Sequence, residues 1–148
     1  MTNPANQHRK RPPTSEAIIN PTSLLDLTVT WVPIEAVRPS PRNARTHPNR
    51  QINQLVSTIQ HNRVMTPMLA DEKLELIAGH GRLEAAKRLG MKQVPVIILK
   101  GLTRTQKRAL MLADNKIAAN AGWDTEKRAV ELIELASVEN IDLDVLGF

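Results

Sequence analysis

The chain has 148 residues, 41% hydrophobic but only 2% aromatic, so the expectation is one domain with an aliphatic core. It contains no cysteine, which excludes a disulfide scaffold, thiolate metal sites and a cysteine nucleophile, and suits a reducing compartment. The net charge is +5, no apolar run approaches the roughly 18 residues that a membrane span needs, and the first residues are too polar for a secretory signal, so the expected location is cytoplasmic.

Eight of the ten prolines fall in the first 48 residues, and residues 1–23 are polar, with Arg9-Lys10-Arg11 followed by Pro12-Pro13. This composition predicts a disordered basic tail, with folding beginning near Leu25. Leu27, Val29, Trp31 and Val32-Pro33-Ile34 predict an opening strand, placed by Pro33 at a sheet edge or strand end. An extended, proline-punctuated loop follows from Arg38 to Pro48. Ile52, Leu55, Val56 and Ile59 repeat at i, i+3, i+4 and i+7, which predicts an amphipathic helix over 49–62 with Asn49 as its cap. Two apolar runs, 67–70 and 74–78, flank Asp71-Glu72-Lys73 at hairpin spacing, with the acids Asp71, Glu72 and Glu75 expected at a solvated tip. A second helix is expected from Gly81 to Gly90, and Val94 to Leu99 is a β-branched, buried strand. Thr103 and Gln106 form a capping-box pattern for a helix to about Asn120, with Leu110, Ala113 and Ile117 as its inner stripe. Asp124 caps another helix running to about Ser137. The order implies an α/β (α+β) domain with a small mixed sheet covered by helices over 24–120, and a helical extension over 121–148.

The segment Gly79-His80-Gly81-Arg82-Leu83-Glu84 places two glycines and an arginine at a helix start just after the second run of the hairpin. The first N–H groups of a helix lack internal partners and carry the positive end of the dipole, so such a turn suits an anion, and Arg82 can add a planar fork. His80 reads equally as a phosphate donor, a metal ligand, a base or a residue that fills the turn. No Asp or Glu occurs between Ala36 and Ala70, whereas Arg38, Arg42, Arg45, Arg50 and Arg63 all do. A concentration of arginine next to the glycine turn points to an anionic partner. His47 and His61 share no metal-ligand spacing and read as incidental.

In this order, the arginine loop, Thr66-Pro67-Met68, Gly79-His80-Gly81-Arg82, Val94-Pro95-Val96-Ile97 and Asp114-Asn115 resemble the ParB N-terminal, or ParB/sulfiredoxin-like, family over roughly residues 30–120. Ala-Gly-His-Gly-Arg, Ala-Asp-Asn-Lys and the terminal Gly-Phe are most similar to its branch found beside phage and plasmid DNA methyltransferases. The resemblance implies a nucleotide pocket, for CTP or ATP with Mg²⁺. Gly79, His80, Gly81 and Arg82 fall on its phosphate motif, Arg45 on its loop arginine, and Asp114 and Asn115 on the pair that helps hold phosphates and metal. Arg38, Arg42 and Arg50 are the expected DNA contacts, weak and non-specific. His80, Gly81 and Glu84 replace part of the arginine-rich stretch of partition proteins, and Thr66 stands where glutamine is frequent. The absence of cysteine excludes sulfiredoxin chemistry. The leading expectation is a nucleotide-binding, DNA-associated module, with a DNA methyltransferase or another replicon protein as an expected partner. The alternative is a metal-dependent nuclease or a nucleoside triphosphatase, with Asp114 and His80 organising Mg²⁺.

Overall fold

Aliphatic and β-branched runs build a four-stranded sheet from β1 (Val29–Pro33), β2 (Met68–Asp71), β3 (Leu76–Ala78) and β4 (Gln93–Leu99), in the order β1-β4-β2-β3. The computed structural model describes residues 27–138 and 143–148, so the expected basic tail lies outside the described residues. β4 runs antiparallel to β1, with Trp31 opposite Pro95, and parallel to β2, with Met68 opposite Val96. Pro95 is tolerated in an inner strand because β2 begins one residue further on, so the missing N–H falls outside that ladder.

Alternate residues of each strand face opposite sides, and each side has its own helix. Met68, Ala70, Leu76, Val94 and Val96 pack with Leu83 and Ala86 of α2 (His80–Arg88). Leu69, Ile77, Ile97 and Leu99 pack instead with Met111 of α3 (Arg104–Asn120). Among the described residues Ile52, Met68, Leu76, Val94 and Val96 are the largest fully buried side chains, each contributing about 1.5–3 kcal/mol relative to exposure. α1 (Asn49–Asn62) lies on α2. Arg88 joins the two helices, donating to Asn49 Oδ1 at 2.8 Å and Asn53 Oδ1 at 2.9 Å. α4 (Thr125–Val138) and α5 (Leu143–Leu146) follow, with α5 against α1. Among the described residues no helix is long and apolar enough to cross a membrane.

Four local expectations need correction. The residue preceding α1 is Pro48, without a side-chain cap, and Asn49 is already helical, its carboxamide oxygen accepting from Arg88 instead of capping. α2 starts at His80, with Gly79 as its N-cap in the left-handed region. Asp71 is buried rather than solvated: its Oδ1 accepts from the N–H groups of Lys73 (2.9 Å) and Glu75 (3.0 Å), and its Oδ2 takes the Lys107 ammonium at 2.9 Å. Burial pushes its carboxyl up, but Lys107 and those two N–H groups outweigh burial and hold it below the ordinary carboxylate value. In α3 the inward face is Lys107, Leu110, Met111 and Asn115, while Ala113 is exposed and Ile117 is 69% exposed. Only the first half of α3 meets the apolar surface of β3 and β4, so nothing turns Ile117 inward. The capping box at Thr103 forms as expected.

Candidate functional site

β3 delivers the chain to Gly79, which turns it into α2 at φ 101°. A Cβ there would stand 2.6 Å from Met68 Cγ, so both the backbone and the packing require glycine. Gly81 has ordinary helical geometry but is closely covered, since a Cβ would meet His47 Nδ1 and Leu55 Cδ1 at 3.1 Å each. The Leu83 N–H is bonded to Gly79 O at 3.0 Å, and the N–H groups of His80, Gly81 and Arg82 are the ones a helix start leaves to an external acceptor. This turn lines a cleft of about 290 Å³, at the small end of ligand pockets.

The cleft gathers residues from three distant segments. Arg45 arrives from the arginine loop, where Asn43 holds the bend: its Oδ1 accepts from Arg45 N–H at 3.2 Å, and its Nδ2 donates to Arg45 O at 3.1 Å. Arg45 Nη1 donates to Asn115 Oδ1 at 3.3 Å, and Asn115 Nδ2 is anchored one turn back on Met111 O. Asp114 joins Arg45, Asn115 and the four residues of the glycine turn on the wall. The expected phosphate-binding residues Gly79, His80, Gly81, Arg82, Arg45 and Asn115 therefore share one cavity with Asp114.

Two of these side chains are used differently from expectation. His80 Nε2 accepts the Ser40 N–H at 3.1 Å, which puts the ring proton on Nδ1 and ties the glycine turn to the arginine loop. Burial lowers the His80 pKa from its ordinary 6.5, the neighbouring His47 lowers it further, and Glu75 opposes them. Ser40, itself buried, donates through Oγ to Glu75 Oε1 at 2.9 Å, and its Oγ accepts from Arg42 N–H. Arg82 directs Nη1 at the carbonyl of Pro67 (2.8 Å) and at both oxygens of Thr66. Half of the expected fork thus fastens the entry to β2, and Nη2 lies on the glycine-turn side, 3.2 Å from where a Gly79 Cβ would be. Burial lowers the Arg82 pKa and the Asp114 carboxylate raises it.

Sequence reasoning missed Ser40, His47 and Gln51. His47 lines the cleft just before α1 and pairs with Gln51 Oε1, four residues on in its first turn, at 2.9 Å, a spacing that could have flagged it. Ser40 left no signal, because its partners lie 35 and 40 residues away.

Among the described residues no group of three His, Cys, Asp or Glu side chains could hold a metal ion. The cleft fits a divalent cation only as Mg²⁺ is commonly held, by one carboxylate, here Asp114, together with phosphate oxygens and water. A two-metal nuclease would need a richer carboxylate set.

The three arginines expected to contact DNA sit on different elements. Arg38 donates to Lys73 O at 3.1 Å, with its backbone bonded to Leu74 O and Leu76 N–H. Arg42 faces a separate cleft beside α3, and Arg50 is exposed on the first turn of α1.

A family model described as the ParB N-terminal domain matches residues 21–116. The ParB-like nuclease domain-containing protein YnaK of Escherichia coli is 48% identical over 82 residues, covering 55% of this chain and 94% of that protein. The nucleoid occlusion protein of Bacillus cereus is 35% identical over 89 residues, covering 57% of this chain but only 30% of that protein. A crystal structure of C-terminally truncated ParB from Caulobacter crescentus, complexed with CTP-γ-S, superposes with a TM-score of 0.66 at 21% identity, covering 80% of this chain and 68% of that one. The same truncated protein complexed to the centromeric parS site gives 0.51 at 20% identity, over 76% and 59%.

Proposed function

The chain belongs to the ParB N-terminal domain family, and we propose that it is a nucleotide-binding, DNA-associated module that seats the phosphates of CTP or ATP in the cleft at Gly79–Arg82. The observation that carries this reading is the convergence of Arg45, Arg82 and the open start of α2 on one small cavity. Backbone N–H groups at the positive end of a helix and two guanidiniums are the chemistry that a polyphosphate needs. Arg45 would exchange Asn115 for a phosphate oxygen, and Asp114 with the phosphates would hold Mg²⁺. Arg82 would keep Thr66 and Pro67 in place through Nη1 while offering Nη2. The His80–Ser40 bond then links whatever occupies the turn to the position of the arginine loop. The Caulobacter relative carries a CTP analogue in one crystal and parS in another, which supports both halves of the reading. DNA contact through the exposed arginines would be weak, tolerant of sequence and lost with added salt.

Arg45→Ala is the test, because Arg45 is exposed and among the described residues its guanidinium hydrogen-bonds only Asn115, whereas Arg82→Ala would also release the entry to β2. In a thermal-shift or calorimetric titration with CTP or ATP and Mg²⁺, nucleotide should raise Tm by mass action. Arg45→Ala should weaken binding about 10-fold or more, the value of one charge-assisted hydrogen bond, with an unliganded Tm close to the parent. An unchanged melting curve at millimolar nucleotide would refute the reading.

A further inference from the structure

A second cleft, of about 360 Å³, lies between the arginine loop, the β2–β3 hairpin and the first turns of α3, and a further cavity of about 350 Å³ adjoins it. Pro41, Arg42, Arg108 and Met111 line both, so the two form one continuous depression. Arg42, Lys73, Arg104, Lys107 and Arg108 face the larger cavity, against two carboxylates, Asp71 and Glu75. Both carboxylates are already engaged: Asp71 holds Lys107 at 2.9 Å, and Glu75 accepts from Ser40. Lys107 is used up by the same pair. Among the described residues the guanidiniums of Arg42, Arg104 and Arg108 make no hydrogen bond or ion pair, and all three residues are exposed. Arg104 and Arg108 are i, i+4 neighbours on one helix face.

We propose that this depression is a second anion site that takes the phosphodiester backbone of duplex DNA, separate from the glycine-turn cleft. The proposal rests on the DNA-associated reading above and assigns that contact to Arg42, Arg104 and Arg108 in place of Arg38 and Arg50. Three features favour a polymer backbone over a free nucleotide. The depression extends over two adjoining cavities, of about 360 and 350 Å³, against about 290 Å³ for the glycine-turn cleft. Its cations are arginines with unused planar donors, which suit successive phosphate oxygens. The start of α3 offers a smaller backbone cradle than that of α2, because Thr103 Oγ1 already takes the Gln106 N–H, whereas α2 has no side-chain cap. Arg45 and Arg42 leave the same loop for different clefts, and α3 lines both, with Arg104 and Arg108 in one and Asp114 and Asn115 in the other. Occupancy of the glycine turn and the arrangement of the DNA-binding arginines thereby share two structural elements.

The experiment measures fluorescence anisotropy of a labelled random-sequence duplex with the full chain across a salt series, comparing the parent, Arg104→Gln/Arg108→Gln and Arg42→Gln. Circular dichroism checks the fold of each variant. The double variant should lose at least about 10-fold in affinity at low salt, and the slope of log K against log salt should fall by about 1.8, near 0.9 per phosphate contact. Arg42→Gln, on a different element, should lower the slope by about 0.9. The Tm response to nucleotide should be unchanged in both. Retained affinity and slope in the variants, with the parent binding DNA, would overturn this cleft alone. A parent that binds no DNA would overturn the DNA-associated reading as well. Equal competition by polyglutamate and DNA at matched charge would overturn the nucleic-acid assignment in favour of an acidic protein.

Discussion

Gly79→Ala and Gly90→Ala are the same chemical change at two positive-φ positions of one helix, and the structure separates their costs. Gly90, at φ 67°, follows α2 in a Schellman turn, with its N–H on Lys87 O at 3.0 Å and the Met91 N–H on Ala86 O at 3.1 Å. A Cβ there meets nothing within 4 Å, so the substitution carries only the left-handed backbone penalty, about 1–2 kcal/mol. Gly79, at φ 101°, carries a similar backbone penalty, and its added methyl would also lie 2.6 Å from Met68 Cγ and 3.1 Å from Met68 Cβ. Those atoms sit close to the main chain of a residue with no exposed surface, so Met68 cannot swing clear without disturbing β2. Overpacking of that kind costs about 1–3 kcal/mol more, bringing Gly79→Ala to about 2–5 kcal/mol. At this chain length the corresponding falls in Tm are about 10 °C for Gly79→Ala and about 5 °C for Gly90→Ala. Urea unfolding of the two variants gives the difference directly. Equal destabilisation would refute the claim that close packing under the turn, as well as its dihedral angle, fixes Gly79.

His80 makes stability depend on pH. Its native pKa lies below the ordinary 6.5, so the unfolded chain binds the proton more readily; the stabilising contribution is complete above pH 6.5 and declines as pH falls through 6.5 toward the native value. His80→Gln keeps an acceptor for the Ser40 N–H without a titrating ring, and its urea midpoint should vary less between pH 7.5 and 5.5, as assay limits of about that span. A parallel decline in parent and variant would contradict burial of His80 as a neutral ring. Thr103→Ala removes the capping hydroxyl that Gln106 N–H uses and should cost about 1 kcal/mol in the same assay; no change would contradict the capping box as a contributor to α3.

Much of this architecture was legible in local pattern. The i, i+3, i+4 spacing of Ile52, Leu55 and Val56, the hairpin runs around Asp71 and the Thr103–Gln106 pair each encode an element within a few residues. Convergence of Arg45, Arg82, Asp114 and Asn115 came through the family resemblance, and the cleft brings all four together. What was not legible depends on contacts between distant segments. Asp71 looks like a tip residue until α3 supplies Lys107. His80 looks like a free functional group until Ser40 claims its Nε2. The apolar residues of α3 form more than one possible stripe, and the short extent of the sheet beneath it selects Met111 and leaves Ile117 in solvent. The grouping of Arg42 with Arg104 and Arg108 likewise exists only once the loop and helix are packed.

The most direct test of the central claim is a ¹⁵N–¹H NMR titration of the chain with CTP and with ATP in the presence of Mg²⁺. Binding at the start of α2 predicts that the amides of His80, Gly81 and Arg82 shift most for at least one of the two nucleotides, together with the Arg45 amide in the linked loop. Amides of the turn that stay in place at millimolar concentrations of both nucleotides, or saturable shifts confined to other elements, would contradict it.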